Sequence, residues 1–312
     1  MRVIFMGTPE FAVPSLKILV ESGINVVAVV TATDKHGGRG GKRLIESAIK
    51  KYALAEELPI LQPANLKASS FISKLSSYKA DIQIVVAFRM LPEIVWNMPS
   101  EGTYNLHGSL LPQYRGAAPI HWAVVNGEKE TGVTSFKLKH EIDTGDLLFQ
   151  EKLSIGNEET TGEVYARLME LGASVVLKTV RAISEGNVEL KPQDNSKVSK
   201  APKINREIAE VNWDQTCEEL RNFVRGMNPF PGAWFRLGEA NVKLHRCSNR
   251  IASHNIAPGH FISDNKNYLH VTTKDGFSVL EELQLQGKKR MDIKSLLNGT
   301  DMSQMISLLA SD

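Results

Sequence analysis

The chain of 312 residues has only two cysteines, Cys217 and Cys247, too few for a disulfide framework or a cysteine-based zinc site. Such sparse cysteine fits a reducing compartment. An excess of charge of either sign is also missing: 37 Lys plus Arg stand against 35 Asp plus Glu, a formal net charge of +2. A surface coated in basic charge is therefore excluded, and any nucleic-acid contact must be a local patch. No run approaches the roughly 18 consecutive apolar residues of a membrane helix. The opening segment Met1–Gly7 meets a glycine, and then Pro9, too early for the apolar region of a signal peptide. A cytoplasmic protein without a membrane partner is the expectation. Hydrophobic residues at 42% and charged residues at 23% match ordinary globular proteins, which excludes a disordered or fibrous chain. At roughly 100–200 residues per domain, the length suggests two domains.

Several familiar motifs are absent too. The run Gly37-Gly38-Arg39-Gly40-Gly41-Lys42 resembles a phosphate loop, but His36 stands where that motif needs glycine and Arg43 where it needs Ser or Thr. The first apolar run leads into Gly7-Thr8-Pro9-Glu10, not the glycine pattern of a nicotinamide or flavin site. None of the eight histidines forms H-E-x-x-H, so a zinc hydrolase has no support and no metal is expected. No Ser or Cys occupies a nucleophile motif, and no internal repeat is visible.

What is present alternates strand and helix. Arg2–Phe5, Ile24–Val30 and Asp81–Ala87 are continuous apolar or β-branched runs, the mark of strands covered on both faces. Tyr104–Leu106 adds another. Helical spacing is seen over Phe11–Val20, Leu44–Leu54 and Thr161–Ile183. This order predicts an α/β fold with a doubly wound, mostly parallel, Rossmann-like sheet. Polar, proline-containing sequence near Gly186–Arg206 reads as a linker. Beyond it come one helix, near Asp214–Gly226, and five short strand-like runs: Ala233–Leu237, Val242–Ser248, His260–Ser263, Tyr268–Thr273 and Phe277–Leu285. A small barrel or sandwich follows. The expected domains are 1–186 and 207–312, joined by 187–206.

Chemistry concentrates in residues 105–120, NLHGSLLPQYRGAAPI. Asn105 and His107 lie two apart in an extended run, so their side chains share a face. That face is at the carboxyl end of a sheet strand, where open α/β sheets place ligands. An amide donor beside an imidazole suits acyl chemistry: Asn can hold a developing oxyanion, and His can move or share a proton. Asp143-Thr144-Gly145-Asp146 supplies carboxylates; an Asp beside an imidazole would orient it and favour its charged form. Sequence spacing does not bring Asp143 to His107; only the fold does. Without a nucleophile motif, direct transfer between two bound substrates fits better than a covalent intermediate.

These motifs carry a resemblance. Over essentially its whole length the chain resembles the methionyl-tRNA formyltransferase family, through FMGTPEFAVPSL at 5–16, GGRGGKRL at 37–44, the 105–120 segment, DTGD at 143–146, VNW at 211–213, RGMNPFPGAW at 225–234 and LQLQGKKRM at 283–291. The segment at 105–120 and DTGD mark the wider folate-dependent formyltransferase superfamily; the others narrow it. The resemblance implies formyl transfer from 10-formyltetrahydrofolate, as cosubstrate, to methionyl-initiator tRNA. It implies Asn105, His107 and Asp143 as catalytic residues. It also implies folate contacts at Ser109, Leu110, Leu111 and Pro112 and at Phe88, Arg89, Met90 and Leu91, the latter as a backbone clamp for the pterin ring. Here that loop departs from the family's Tyr-Gly-Leu-Ile type, a change that backbone hydrogen bonding tolerates. The second domain would be an OB-like barrel. tRNA contacts are expected from Arg39, Lys42 and Arg43 in the glycine-rich basic loop, and from Lys288, Lys289 and Arg290. In that loop Ala32 and Thr33 replace the family's Gln-Pro, and one glycine is added. The alternative reading is a formyltransferase acting on a 4-amino-sugar nucleotide. Nothing in the chain calls for more than a monomer.

Overall fold

The computed structural model describes residues 1–37, 43–238 and 240–299. The chain divides into two compact units: 1–119, 131–154 and 165–201 form the first, and 120–130, 155–164 and 202 onward form the second. Among the described residues no helix is long and apolar enough to cross a membrane.

In chain order the first part comprises β1 (Arg2–Gly7), α1 (Val13–Glu21), β2 (Asn25–Val30), β3 (Lys35–Gly37), β4 (Arg43–Ile45), α2 (Ala48–Ala55), β5 (Ile60–Leu61), α3 (Ser69–Ser77), β6 (Ile82–Val86), α4 (Glu93–Trp96), β7 (Gly102–His107), β8 (Arg115–Gly116), α5 (Pro119–Val125), β9 (Glu130–Lys137), β10 (Leu147–Ser154), α6 (Thr161–Ser184) and β11 (Lys200–Ala201). Seven strands make one sheet in the order β10-β9-β7-β6-β1-β2-β5. The β1–β2, β1–β6, β6–β7 and β2–β5 pairs are parallel, and β7–β9 is antiparallel. Val3 through Met6 of β1 are all buried. Alternation of side chains across a strand explains this: Ile4 and Met6 join Ala28, Val30, Val85, Phe71 and Leu75 in one core, which leaves Val3 and Phe5 to the opposite face.

Two local outcomes differ from the sequence expectation. The helix expected from Leu44 starts at Ala48, capped by the Ser47 hydroxyl, which accepts from the Lys50 amide. Arg43–Ile45 instead pairs antiparallel with Lys35–Gly37. Leu44 and Ile45 fit helical spacing but are about half exposed, at 50% and 51%. They therefore carry no core signal.

The second unit holds α7 (Cys217–Met227), β12 (Ala233–Leu237), β13 (Ala240–Ile251), β14 (Phe261–Ser263), β15 (Leu269–Thr272), β16 (Gly276–Leu285), β17 (Met291–Asp292) and α8 (Ile293–Gly299). Its strands form an antiparallel sheet, β12-β13-β16-β15-β14, with β17 added on β16. Among the described residues β12 and β14 are not paired with each other. The helix α7 opens on a reciprocal cap: Thr216 Oγ1 accepts from the Glu219 amide, and the Glu219 carboxylate accepts from the Thr216 amide. Leu220, Val224 and Met227 of α7 pack with Phe235, Val242, Leu244, Leu269, Val271, Leu280 and Leu283 of the sheet.

Candidate active site

Because β1, β6 and β7 run parallel, their carboxyl ends align: Gly7 is opposite Val86, and Val86 opposite Leu106. The segments after β6 and β7 leave from the same sheet edge, the ligand edge of open α/β sheets. Asn105 and His107 occupy alternate positions at the end of β7. Asn105 is half-buried, between Val85 and Phe136 in register. His107 is 6% exposed.

Both ring nitrogens of His107 face protein oxygens. Nε2 lies 2.8 Å from the Tyr114 carbonyl oxygen. A carbonyl only accepts, so Nε2 carries a hydrogen. Nδ1 lies 3.8 Å from Oδ2 of Asp143. At that separation no hydrogen bond is formed, yet a proton on Nδ1 would face a carboxylate. The same Oδ2 accepts a hydrogen bond from the Gly116 amide at 2.9 Å. The fold thus joins three distant segments at one imidazole.

Both partner segments bend through unusual backbone. Tyr114 has φ 60° and Asp143 φ 55°, left-handed values that cost a non-glycine residue about 1–3 kcal/mol. Ala87, which follows β6 and leads into the Phe88 loop, has φ 48°. Three of the non-glycine residues with positive φ therefore border this sheet edge. Glycines complete the turns: Gly116 has φ 128°, and a Cβ on Gly145 would lie 1.7 Å from the Lys137 carbonyl oxygen. Burial, followed by the charge of Glu101, holds the Tyr104 hydroxyl on β7 above its ordinary pKa.

A cleft of about 870 Å³ lies on the Arg89–Ile94 segment, walled by Asn65, Leu66, Lys67, Ile72, Trp96 and His140. Its volume falls in the range of small-molecule sites. Arg89, Met90 and Leu91 line it, and Phe88 does not. Among the described residues, the main chain of 88–91 makes no hydrogen bond to other main chain. It therefore offers free amide and carbonyl groups beside apolar walls, which fits a flat heteroaromatic ring with polar edges. His140 stands three residues before Asp143, so one segment borders both the cleft and the imidazole. Ser109 to Pro112 are absent from the cleft lining. Ser109, Leu111 and Pro112 are buried. Ser109 Oγ donates to the Gln113 carbonyl and the Ser109 carbonyl accepts from Thr134 Oγ1; these contacts shape the turn after β7.

Of the expected tRNA contacts, Arg39 and Lys42 lie outside the described residues. Arg43 is exposed on β4. The base of that hairpin is clasped by Thr31 Oγ1 and Ser47 Oγ at 2.7 Å, and by Lys50, whose Nζ reaches Asp34 at 2.5 Å and Glu46 at 2.8 Å. The Lys50 hydrogen bond, joined by one from Gln62, lowers the Asp34 pKa. Lys288, Lys289 and Arg290 are exposed in the turn leading to β17, where Arg290 is paired with Glu282.

The sequence reading passed over Tyr114, Gly116, His140 and Gln193. Gln193 and Ser199 sit in sequence that looks like a linker, yet both are bonded to the segments around His107. No local signal marks them, since their partners are 48 to 85 residues away.

Comparison with known proteins fits this site. A model described as formyl transferase matches residues 1–180, and one described as formyl transferase, C-terminal domain, matches 203–301. A methionyl-tRNA formyltransferase of Bacteroides fragilis is 48% identical over 319 aligned residues, covering 99% of this chain and 98% of its own. The chain belongs to the methionyl-tRNA formyltransferase family. A family member of Parabacteroides distasonis is likewise 48% identical, with 96% and 95% covered. Among solved structures, an N-formyltransferase of Helicobacter canadensis, in complex with folinic acid and dTDP-3-aminofucose, has a TM-score of 0.64 at 19% identity, covering 93% of this chain and 99% of that one. At that identity the likeness shows the shared fold.

Proposed function

We propose that this chain transfers the formyl group of 10-formyltetrahydrofolate to the α-amine of methionine on initiator tRNA, for translation initiation. The observation that carries the reading is the His107 imidazole, hydrogen-bonded at Nε2 and facing the Asp143 carboxylate at Nδ1, at the carboxyl edge of the sheet beside Asn105, in a chain 48% identical to family members. The donor lies along the cleft with its pterin against the free main chain of 88–91. Its formyl group points toward Asn105 and His107, above the Ser109–Pro112 turn.

The neutral α-amine attacks the formyl carbon, a new C–N bond forms, and the carbonyl π electrons move to oxygen. Asn105 donates to that oxyanion, joined by the Nδ1 hydrogen of protonated His107, which makes no hydrogen bond to Asp143 at 3.8 Å; the Nε2 hydrogen stays on the Tyr114 carbonyl, and Asp143 faces the charged ring. The oxyanion re-forms its carbonyl as the bond to N10 of the folate breaks. The proton lost by the amine ends on N10, carried by water or Asp143. Loss of a single oxyanion donor costs about 10²–10³ in kcat. Basic residues of the 35–43 hairpin and of 288–290 take phosphates of the tRNA. The protein acts as a monomer without a metal.

The acceptor is tested by offering the protein a 10-formyl donor with either methionyl-initiator tRNA or a 4-amino-sugar nucleotide. Formyl-methionyl-tRNA is the expected product. Formylation of the sugar alone would replace this reading with the alternative.

A further inference from the structure

We infer that Gln193 is a positioning residue for the transfer, setting the geometry of His107 from outside the motifs that carry it. The inference rests on the catalytic reading of His107 and Asp143 given above.

The Gln193 amide uses its full hydrogen-bonding capacity across two segments. Its Nε2 donates to the carbonyl oxygens of Asp143 and Gly145, both at 2.8 Å. Its Oε1 accepts from Arg115 Nε at 3.1 Å and from an Arg115 terminal nitrogen at 2.6 Å. Two donated and two accepted bonds exhaust a primary amide, and the arrangement fixes which end is oxygen, because carbonyls only accept and guanidinium only donates.

The bridged segments are those that meet His107. Arg115 follows Tyr114, whose carbonyl takes the Nε2 hydrogen, and Asp143 presents its carboxylate to Nδ1. Each segment turns through a left-handed residue, Tyr114 or Asp143. Such backbone persists only where its surroundings over-determine it. Gln193 grips the Asp143 turn by its carbonyls on both sides of Thr144. Neighbouring residues hold the other segment: Ser199 Oγ accepts from the Tyr114 amide at 2.9 Å, the Ser199 carbonyl accepts from the Arg115 amide at 2.9 Å, and Lys200–Ala201 runs parallel to Arg115–Gly116. The stretch from 193 to 201 therefore straps the two sides of the imidazole together. Within the strap Gln193 is the residue whose hydrogen bonds reach both sides; it fixes the main chain of the Asp143 turn, while the Gly116 amide takes the carboxylate itself, and together they set the distance from that carboxylate to Nδ1.

The test compares Gln193→Glu, Gln193→Met and His107→Ala with the parent protein. The glutamate keeps an acceptor for Arg115 but sets a carboxylate against the two carbonyls; methionine keeps the length and removes every hydrogen bond. For a misplaced catalytic group, both Gln193 variants should lose up to about 10²-fold in kcat, with KM for donor and tRNA within twofold and the melting temperature close to the parent's. Their pH–kcat profiles should also be displaced, which a purely structural defect would not do. A kcat within twofold of the parent in Gln193→Glu, or a rise in KM at unchanged kcat, overturns the inference while an inactive His107→Ala leaves the catalytic reading standing. Full activity in His107→Ala removes that reading and the inference with it.

Discussion

At the residue scale the proposed transfer rests on a few polar side chains at the end of β7. Asn105 precedes His107 by two positions on one face, so Asn105→Ala should remove an oxyanion donor without disturbing the ring. The expected result is a fall in kcat of about 10²–10³ with donor KM little changed, measured by steady-state kinetics; a change confined to KM would assign Asn105 to binding. A second residue-scale expectation concerns acid stability. Burial lowers the pKa of His121 below its ordinary 6.5, against a smaller opposing effect of its hydrogen bond to the Phe230 carbonyl. A depressed histidine binds fewer protons folded than unfolded. Its stabilising contribution is therefore complete above pH 6.5 and lost as pH falls through the lower folded-state value. Thermal melts at pH 7.5 and 5.5 should show a smaller acid loss in His121→Gln than in the parent, and equal losses would contradict it.

The residue scale also marks what a sequence can disclose. Asn105, His107 and Asp143 are visible as candidates because their types suit acyl chemistry. The 3.8 Å approach of Asp143 to His107 is not visible, because it depends on two left-handed turns and on the antiparallel placement of β9. Gln193 is invisible for the same reason: its bonds are all long-range, and its neighbours are polar and irregular.

At the scale of elements, strands with continuous or alternating apolar residues were legible, those of the second unit included, and the Thr- and Ser-bearing β9 was not. β1, β2 and β6 are continuous apolar runs. β9 reads ETGVTSFK, and its buried Thr131, Thr134 and Ser135 break any apolar pattern. Thr134 and Ser135 sit inside because their hydroxyls are satisfied, Thr134 by Ser109 and Ser135 by Thr179. In α3, serine-rich sequence leaves only Phe71 and Leu75 as buried anchors. The β3–β4 hairpin is fastened at its base by Asp34 and Lys50. Asp34→Asn weakens that clasp, so KM for tRNA should rise several-fold while KM for the donor stays put; a parallel rise in both would show a general defect. For α7, loss of the reciprocal cap in Thr216→Ala should cost about 1 kcal/mol in denaturant unfolding, and no loss would show the cap to be redundant.

At the scale of the molecule, a net charge of +2 and two separately cored units are consistent with the proposed meeting of a large anionic substrate through local basic arms. Arg290 is already shared with Glu282, and Arg246 with Glu281, which limits the free positive charge of the second unit. With phosphate contacts from Arg39, Lys42, Arg43, Lys288 and Lys289, KM for tRNA should rise by about 10²–10³-fold between 50 and 200 mM salt. A much steeper dependence would mean a larger basic surface than these residues offer.

The most direct test of the central claim is single-turnover transfer of a labelled formyl group from 10-formyltetrahydrofolate to methionyl-initiator tRNA, in the parent protein and in His107→Ala, with donor affinity measured separately. The parent should place the label on the methionine α-amine, and His107→Ala should transfer about 10²–10⁴-fold more slowly at unchanged donor affinity. Transfer by His107→Ala at the parent's rate would contradict the account.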